Sequence, residues 1–220
     1  ECEFRKDGFY LNGKKLKIRG LNRHQAYPYV GYAMPASAQR ADADLLKFEL
    51  GCNLARTSHY PDSTHFLDRC DEIGLLVFTE MPSWQFTGEG EWRENCLKNV
   101  ADMVKRDRNH PCVILWGVRV NEGPDCDELY EKTNAIAHSL DDTRQTGGVR
   151  NFPQSHLLED VYTYNDFIHS GGKIALNLPL LVAGPNAPYL VTEHNGHMYP
   201  TKSFDREEIR VEHALRHARV

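Results

Sequence analysis

The sequence predicts an α/β protein, a (β/α)8 TIM barrel that is truncated after the seventh β/α unit. Short apolar runs alternate along the chain with segments of helical periodicity, which is typical of βαβ units around a parallel sheet. Polar residues end nearly every apolar run, whereas the helix-to-strand connections carry no such set. That asymmetry is expected when a functional site lies at the C-terminal ends of barrel strands. An open doubly wound sheet is the alternative, but no G-x-G-x-x-G pattern follows the first strand to support a dinucleotide site.

Strands and helices are predicted in turn along the chain. We expect strands at 16–21, 52–57, 75–80, 113–120, 146–150, 161–164 and 189–192, and helices at 37–50, 62–73, 91–108, 125–140 and 204–220. Seven strands leave the barrel without its eighth strand and helix, and omitting one strand exposes two sheet edges. We therefore expect a further segment of a longer chain, or a partner copy, to cover those edges; otherwise the fold is marginal.

Local signals define the first elements. Residues 1–15 contain the dipeptide Asn12-Gly13 between short apolar runs, which predicts an entry hairpin, and we assign them to the tail of a preceding domain. Residues 16–220 then form the barrel domain. Gly51 and Gly74 are predicted to end the first two helices, and Asp62 to cap the second one.

The run 113–120 is the clearest strand. It is apolar, rich in β-branched residues and too short for a long helix, which predicts a buried strand of a parallel sheet. It stops at Asn121 and Glu122, while the third run ends in Glu80 and the seventh leads into Glu193. Carboxylates in these places are candidates for catalysis, although a strand that simply meets water would look the same.

Composition excludes several classes of protein. The 220 residues are 40% hydrophobic, enough for one sizeable core, and the net charge of −5 argues against a nucleic-acid or anionic-membrane partner. No apolar run approaches the roughly 20 residues of a membrane span. The polar first residues lack a signal peptide, and we expect the chain to be part of a longer protein. Six cysteines without C-x-x-C spacing make a zinc site or disulfide framework unexpected and favour a reduced, cytoplasmic setting.

Four motifs carry a family resemblance. They are RTSHYP at 56–61, RDRNHP at 106–111, WGVRVNE at 116–122 and TEHNGHM at 192–198. In order, spacing and strand placement they resemble the catalytic barrel of glycoside hydrolase family 2, which contains β-galactosidases, β-glucuronidases and β-mannosidases. The resemblance extends from the hairpin to the last predicted helix.

The resemblance implies that Glu122 is the acid/base and Glu193 the nucleophile. A glycosidic oxygen is a poor leaving group, so one carboxyl must protonate it while the other stabilises an oxocarbenium-like centre. If the two carboxyls lie roughly 5–5.5 Å apart, the second attacks, a covalent glycosyl-enzyme forms, and configuration is retained. The negative charge of Glu193 would help Glu122 to keep its proton before the attack.

The resemblance also implies substrate-binding residues. Asn121 would bind the sugar 2-OH, and His24 and His59 would line the sugar pocket, although a single histidine is more often structural. Tyr164 matches a tyrosine that touches the nucleophile, with Tyr162 as its rival by spacing and a core aromatic as the alternative.

Four further residues complete the predicted site. Arg56 would lie beneath the nucleophile, or else form an ion pair inside the barrel. Glu80 would support the site without contacting the sugar. Trp84 could stack on a sugar face, but a Trp in such a loop is as often a lid or a packing residue. His197 would contact the sugar O6.

No metal and no cofactor are expected. Some β-galactosidases of the family hold a divalent cation near the acid/base through Glu-x-His, and the corresponding residues here, Trp84-Gln85-Phe86, are poor ligands for a hard cation. The family's carboxylate-reading Asn-x-Lys motif would lie beyond the last residue, so it does not separate glucuronidases from galactosidases.

The sequence therefore predicts a retaining exo-β-glycosidase, with a β-galactosidase acting on terminal non-reducing β-D-galactosides favoured. A β-glucuronidase or β-mannosidase is the alternative within the family, and a non-catalytic carbohydrate-binding barrel or an inactive fragment is the alternative outside it. The expected partners are a carbohydrate substrate, other domains of the parent chain and a further copy of the chain.

Overall fold

The computed structural model describes residues 1–167 and 175–194, together with Leu215. The strands are β1 (Cys2–Arg5), β2 (Gly8–Leu11), β3 (Lys14–Leu16), β4 (Gly20–Arg23), β5 (Leu54–Thr57), β6 (Leu76–Glu80), β7 (Val113–Gly117), β8 (Gln145–Arg150), β9 (Val161–Asp166) and β10 (Tyr189–His194). The helices are α1 (Ala36–Asp44), α2 (Thr64–Ile73), α3 (Glu91–Asp107), α4 (Asp127–Leu140) and α5 (Pro179–Ala183), with a π-helical turn at Leu45–Glu49 directly after α1.

Seven parallel strands form a nearly closed barrel, which confirms the predicted fold class. They are hydrogen-bonded in the order β10-β9-β8-β7-β6-β5-β4, so that β4 and β10 are the two edges within the described residues. A hydrogen bond from Arg56 on β5 to Glu193 on β10 nevertheless crosses the interior at 2.6 Å. The final helix predicted at 204–220 lies, apart from Leu215, outside the described residues.

The predicted entry hairpin is present as β2 and β3. Asn12 and Gly13 form its two-residue turn with φ values of 50° and 75°, the left-handed conformation that such turns require. The sequence did not predict β1, which pairs with β2 in a small antiparallel sheet. Phe4 and Phe9 of this sheet join the barrel-interior cluster next to the first residues of β5 and β6. The hairpin therefore packs at the end of the barrel opposite the C-terminal ends of the strands, and its assignment to a preceding domain stays a prediction.

Strand alternation separates an inner from an outer core. Leu54 and Leu76 belong to the interior cluster, whereas their neighbours Ala55 and Val77 pack outward against the helices. Because side chains alternate along a strand, Arg56 and Glu80 must face the interior near the C-terminal end. This period-two pattern is what brings two charged side chains into the barrel.

Several predicted boundaries are wrong. The first barrel strand is Gly20–Arg23 rather than 16–21, because residues up to Leu16 complete the hairpin. The ladder of the fourth strand ends at Gly117, not at Val120. Asp62 does not cap α2: Ser63 accepts the hydrogen bond from the His65 backbone N–H, while Asp62 is buried against Arg23. Gly51 and Gly74 do end their helices with positive φ.

Within the described residues, no helix is long and apolar enough to cross a membrane.

Candidate active site

Gly117 allows two strands to approach closely beneath the site. A Cβ atom on Gly117 would lie 2.3 Å from the Cβ of Glu80, closer than real Cβ contacts, so only glycine fits. Gly117 also pairs directly with Glu80 across β6 and β7. The close approach sets the position of Glu80 inside the barrel.

The guanidinium of Arg56 is the centre of the site. It donates two hydrogen bonds from Nη2 to Glu80, at 2.8 and 2.9 Å, and one from Nε at 3.1 Å. Nη2 also donates to Asn121 Oδ1 at 2.7 Å, and Nη1 donates to Glu193 Oε1 at 2.6 Å. Nη2 also lies 3.2 Å from His59 Nδ1, so one buried cation links four of the predicted site residues.

The charged side chains around Arg56 are largely buried and therefore interact strongly with one another. The side chains of Arg56 and Glu80 are 2% and 3% exposed, whereas Glu193 retains 19% exposure. Burial tends to lower the pKa of Arg56, but the charges of Glu80 and Glu193 and their hydrogen bonds outweigh it and raise that pKa above its usual range. Arg56 is thus a permanent positive charge beside Glu193.

The two predicted sugar-binding histidines lie side by side. The rings of His24 and His59 are 5.5 Å apart in an edge-to-face arrangement. His59 Nδ1 lies 2.9 Å from Glu80 Oε1 and 3.2 Å from Arg56 Nη2. Burial, followed by the nearby His59, lowers the pKa of His24, which favours a neutral ring. Neutral imidazoles can both donate to and accept from sugar hydroxyls.

Glu122 is held by its backbone and by both carboxyl oxygens. Its φ of 56° is left-handed, and its N–H donates to the Val149 carbonyl at 2.9 Å. The Nδ2 of Asn165 donates to Oε1 at 2.9 Å, and the Nε2 of Gln85 donates to Oε2 at 3.0 Å. The carboxyl is therefore oriented by two neutral amides.

Asn121 is buried and has an unused donor. Its Oδ1 accepts from Arg56, while its Nδ2 has no hydrogen-bond partner among the described residues. A buried amide donor without a partner costs about 1–3 kcal/mol. Such a group is expected where a ligand completes the hydrogen bonding.

A short relay joins the two predicted catalytic strands. The hydroxyl of Thr192, next to Glu193, donates to Asn165 Oδ1 at 2.9 Å, and the amide nitrogen of Asn165 donates to Glu122. The register of β9 against β10 shifts between Val191 and Glu193 at this point. Glu122 is thus connected through the side chains of Asn165 and Thr192 to the residue that precedes Glu193.

Tyr164, Trp84 and His197 are not brought into this network. Tyr164 lies on the opposite face of β9, packed with Tyr162 and Val182, and burial raises its pKa; no hydrogen bond to Glu193 is present among the described residues. Trp84 is 57% exposed at the rim, with its backbone bridged to Asn121. His197 lies outside the described residues. The roles predicted for these three stay predictions.

The sequence reasoning missed Asn165 and Gln85. Alternation on β9 offered a signal for the first, since Val161 is in the interior cluster and Asn165 lies four residues further on the same face. The family resemblance pointed instead to the neighbouring residue, Tyr164. Nothing in the sequence pattern indicated that Gln85 reaches Glu122 across 37 residues.

One group of possible metal ligands occurs elsewhere in the described residues. Asp71, His110 and Cys112 have ligand atoms within 4.8 Å of one another. Asp71 already accepts from the Cys112 backbone N–H at 2.8 Å and lies 2.7 Å from His110 Nδ1. Cys112 immediately precedes β7, so the group lies at the opposite end of the barrel from Glu122 and these bonds account for its geometry.

The chain was compared with known protein families and structures. Residues 2–204 match the family model described as glycosyl hydrolases family 2, TIM barrel domain. The chain is 60% identical to a β-galactosidase of Thermoanaerobacterium thermosulfurigenes, covering 100% of the chain and 31% of that protein. It is 45% identical to a β-galactosidase of Rhizobium meliloti, covering 99% of the chain and 31% of that protein.

A solved structure gives the same likeness. A GH2 β-galacturonidase from Eisenbergiella tayi bound to galacturonate superposes with a TM-score of 0.76 at 28% identity, covering 92% of this chain and 40% of that one. The chain spans about a third of the length of the curated relatives described above.

Proposed function

The chain belongs to glycosyl hydrolase family 2, and from this membership we propose that it forms the catalytic barrel of a retaining exo-β-glycosidase. The favoured substrate is a terminal non-reducing β-D-galactoside, since the relatives that are 60% and 45% identical over its length are named β-galactosidases. The chain spans only 31% of those proteins, so the activity of the whole protein is part of the proposal.

One observation carries the proposal. A single buried guanidinium, that of Arg56, binds Glu193 at 2.6 Å and Asn121 at 2.7 Å, and Asn121 directly precedes Glu122. The hydrogen bond from this fixed positive charge orients the carboxyl of Glu193, as a carboxylate nucleophile requires. Among the described residues, the side chains that hydrogen-bond to the Glu122 carboxyl are the neutral amides of Gln85 and Asn165. The two carboxylates therefore have the different environments that nucleophile and acid/base need.

The proposed cycle has two steps. In the first, Glu193 attacks the anomeric carbon while Glu122 gives its proton to the departing glycosidic oxygen, so that an ester joins the sugar to Glu193. In the second, Glu122 removes a proton from water, the water oxygen displaces Glu193 from the anomeric carbon, and Glu122 regains its proton. Two inversions give net retention.

The remaining polar groups suit the sugar hydroxyls. The unpaired Nδ2 of Asn121 can donate to the 2-OH, a bond that strengthens in the transition state. His24 and His59 can bind other hydroxyls, and Trp84 and His197 are proposed contacts at the rim. Tyr164 is proposed as a support of the nucleophile. Its packing against Tyr162 favours the alternative, a core aromatic.

A β-glucuronidase is the second candidate. More distant relatives carry that name, including a Bacteroides fragilis protein that is 32% identical over 66% of the chain.

We further propose that other domains of a longer protein, including an eighth β/α unit, cover the edges β4 and β10, and that copies of the chain associate. A cytoplasmic setting is proposed on the six free thiols, four of which are buried.

The test is the stereochemistry of hydrolysis. Wild-type protein is incubated with 4-nitrophenyl β-galactoside, and the first-formed anomer is read by proton NMR. β-Galactose formed first supports the proposal, and α-galactose formed first contradicts the retaining mechanism. Binding of galactose without any turnover would favour a carbohydrate-binding barrel instead, and turnover of the glucuronide alone would favour the second candidate.

A further inference from the structure

Gln85 occupies a tight turn that faces the acid/base. The Phe86 N–H donates to the Trp84 carbonyl at 2.6 Å, an i to i+2 bond, with Gln85 between them at a φ of 57°. This combination describes the strained form of the γ-turn. The N–H of Gln85 is itself tied to the Asn121 carbonyl at 2.8 Å. The turn is thus attached to the residue before Glu122.

The side chain of Gln85 completes a second attachment. Its Nε2 donates to Glu122 Oε2 at 3.0 Å. Gln85 therefore binds the two consecutive residues Asn121 and Glu122. Glu122 also has a positive φ, of 56°. Two residues without glycine's freedom therefore meet in left-handed conformations, which persist only where the surroundings over-determine them.

The Gln85 side chain is exposed, and its amide donates to Glu122. Strained backbone is costly and persists where the surroundings over-determine it. Here the turn anchors its backbone to Asn121 and aims the side-chain amide at Glu122.

We propose that Gln85 is a positioning residue that fixes the rotation of the Glu122 carboxyl during proton donation to the leaving group. Asn165 holds Oε1 and Gln85 holds Oε2, so removal of Gln85 leaves the carboxyl free to turn about one remaining contact. Each carboxyl oxygen has a second lone pair, so the two amides do not prevent Glu122 from carrying its proton. This inference rests on the proposed function, in which Glu122 is the acid/base.

The test uses leaving groups that differ in their need for protonation. A 2,4-dinitrophenolate departs without an acid, whereas phenolate or methoxide requires one. In Gln85→Gly, which accepts the positive φ, we expect kcat/KM to fall about tenfold or more for phenyl β-galactoside and to change less than twofold for the dinitrophenyl substrate. Gln85→Glu, which keeps the shape but has no donor hydrogen, should show the same selective loss.

Gln154 provides the matched control. It is another exposed glutamine with a φ of 62°, and its backbone N–H donates to the Val182 carbonyl away from Glu122. Gln154→Gly should leave kcat/KM unchanged for both substrates. Equal kcat/KM in Gln85→Gly and wild type for phenyl galactoside would overturn the inference, as would an equal loss on both substrates. A wild-type protein that hydrolyses neither substrate overturns the proposed function instead.

Discussion

Nη1 of Arg56 donates a hydrogen bond to Oε1 of Glu193 at 2.6 Å. The two residues are on β5 and β10, which lie on either side of the gap between the sheet edges β4 and β10. The contact has two consequences. It supplies the positive charge beside the proposed nucleophile, and it joins the first half of the barrel to the last described strand in the absence of β4–β10 pairing within the described residues.

Arg56→Lys keeps the charge but loses the planar fork that serves Glu80, Asn121 and Glu193 at once. We expect kcat to fall at least about 100-fold because an ammonium cannot make these bonds together. We also expect about 3–5 kcal/mol loss in the free energy of unfolding for Arg56→Met, which leaves Glu80 buried without its cation. Urea unfolding and initial rates measure the two effects.

Arg69 offers a control for that experiment, since its ion pairs with Asp44 and Glu72 lie on the surface. Arg69→Met should cost less than about 1 kcal/mol. Equal losses in the free energy of unfolding for Arg56→Met and Arg69→Met would contradict a stabilising role for the buried ion pairs of Arg56.

Asn121→Ala should weaken catalysis because it removes the proposed hydrogen bond to the sugar 2-OH. With a galactoside we expect kcat/KM to fall about 10- to 100-fold, because one hydrogen bond that strengthens in the transition state is lost. With a 2-deoxygalactoside, wild type and variant should differ much less. The measurement is a double-mutant cycle between residue 121 and the 2-OH, and a cycle with no coupling would contradict the contact.

Asp62→Asn should change how stability depends on pH. Burial, partly offset by Arg23, raises the pKa of Asp62 from 3.8 to about 6. The stability from this group is therefore full below pH 3.8 and is lost as the pH rises through about 6. Two pKa units correspond to about 3 kcal/mol, so wild type should lose about that much relative to the variant between pH 4 and 7.

Urea unfolding across that pH range measures the difference between wild type and Asp62→Asn. Asp68→Asn, which makes the same chemical change at an exposed position of α2, serves as the control. A constant difference between wild type and Asp62→Asn would rule out a raised pKa.

Gly117→Ala should disturb the site from below. Its Cβ would meet Glu80 Cβ at 2.3 Å and Glu80 Cα at 2.8 Å, so the β6 backbone must move. We expect a loss of about 1–3 kcal/mol in unfolding free energy and a fall in kcat. Gly147, its partner on β8, is the matched control, because a Cβ there meets a Thr163 methyl at 3.0 Å, which can shift. Equal effects at both positions would contradict this account of Gly117.

The sequence predicted the barrel because periodicity is a property of whole segments. Strand-end positions also predicted Glu80, Glu122 and Glu193 as one group, since residues that end parallel strands meet at one face, and the family resemblance added Arg56. The prediction of the α2 cap was wrong, because Ser63 rather than its neighbour Asp62 accepts the capping hydrogen bond. The sequence also did not single out Asn165, which hydrogen-bonds to Glu122.

The contact between Gln85 and Glu122 shows a different limit. It depends on a left-handed residue in the loop after β6 and another after β7, and neither φ is encoded by a glycine. Local sequence signals for positive φ are mainly Gly, Asn and Asp, so the pattern offered no indication. Only the packed loops reveal it.

We propose that Glu193 attacks the sugar. Covalent trapping tests it most directly: the protein is incubated with 2-deoxy-2-fluoro-β-galactosyl fluoride, whose fluorine slows both steps while the good leaving group lets the first outrun the second. Intact and peptide masses are then read, with Glu193→Gln as the control. We predict one fluorogalactosyl group per chain, attached to Glu193 and absent from the variant. A label on any other residue would contradict the claim.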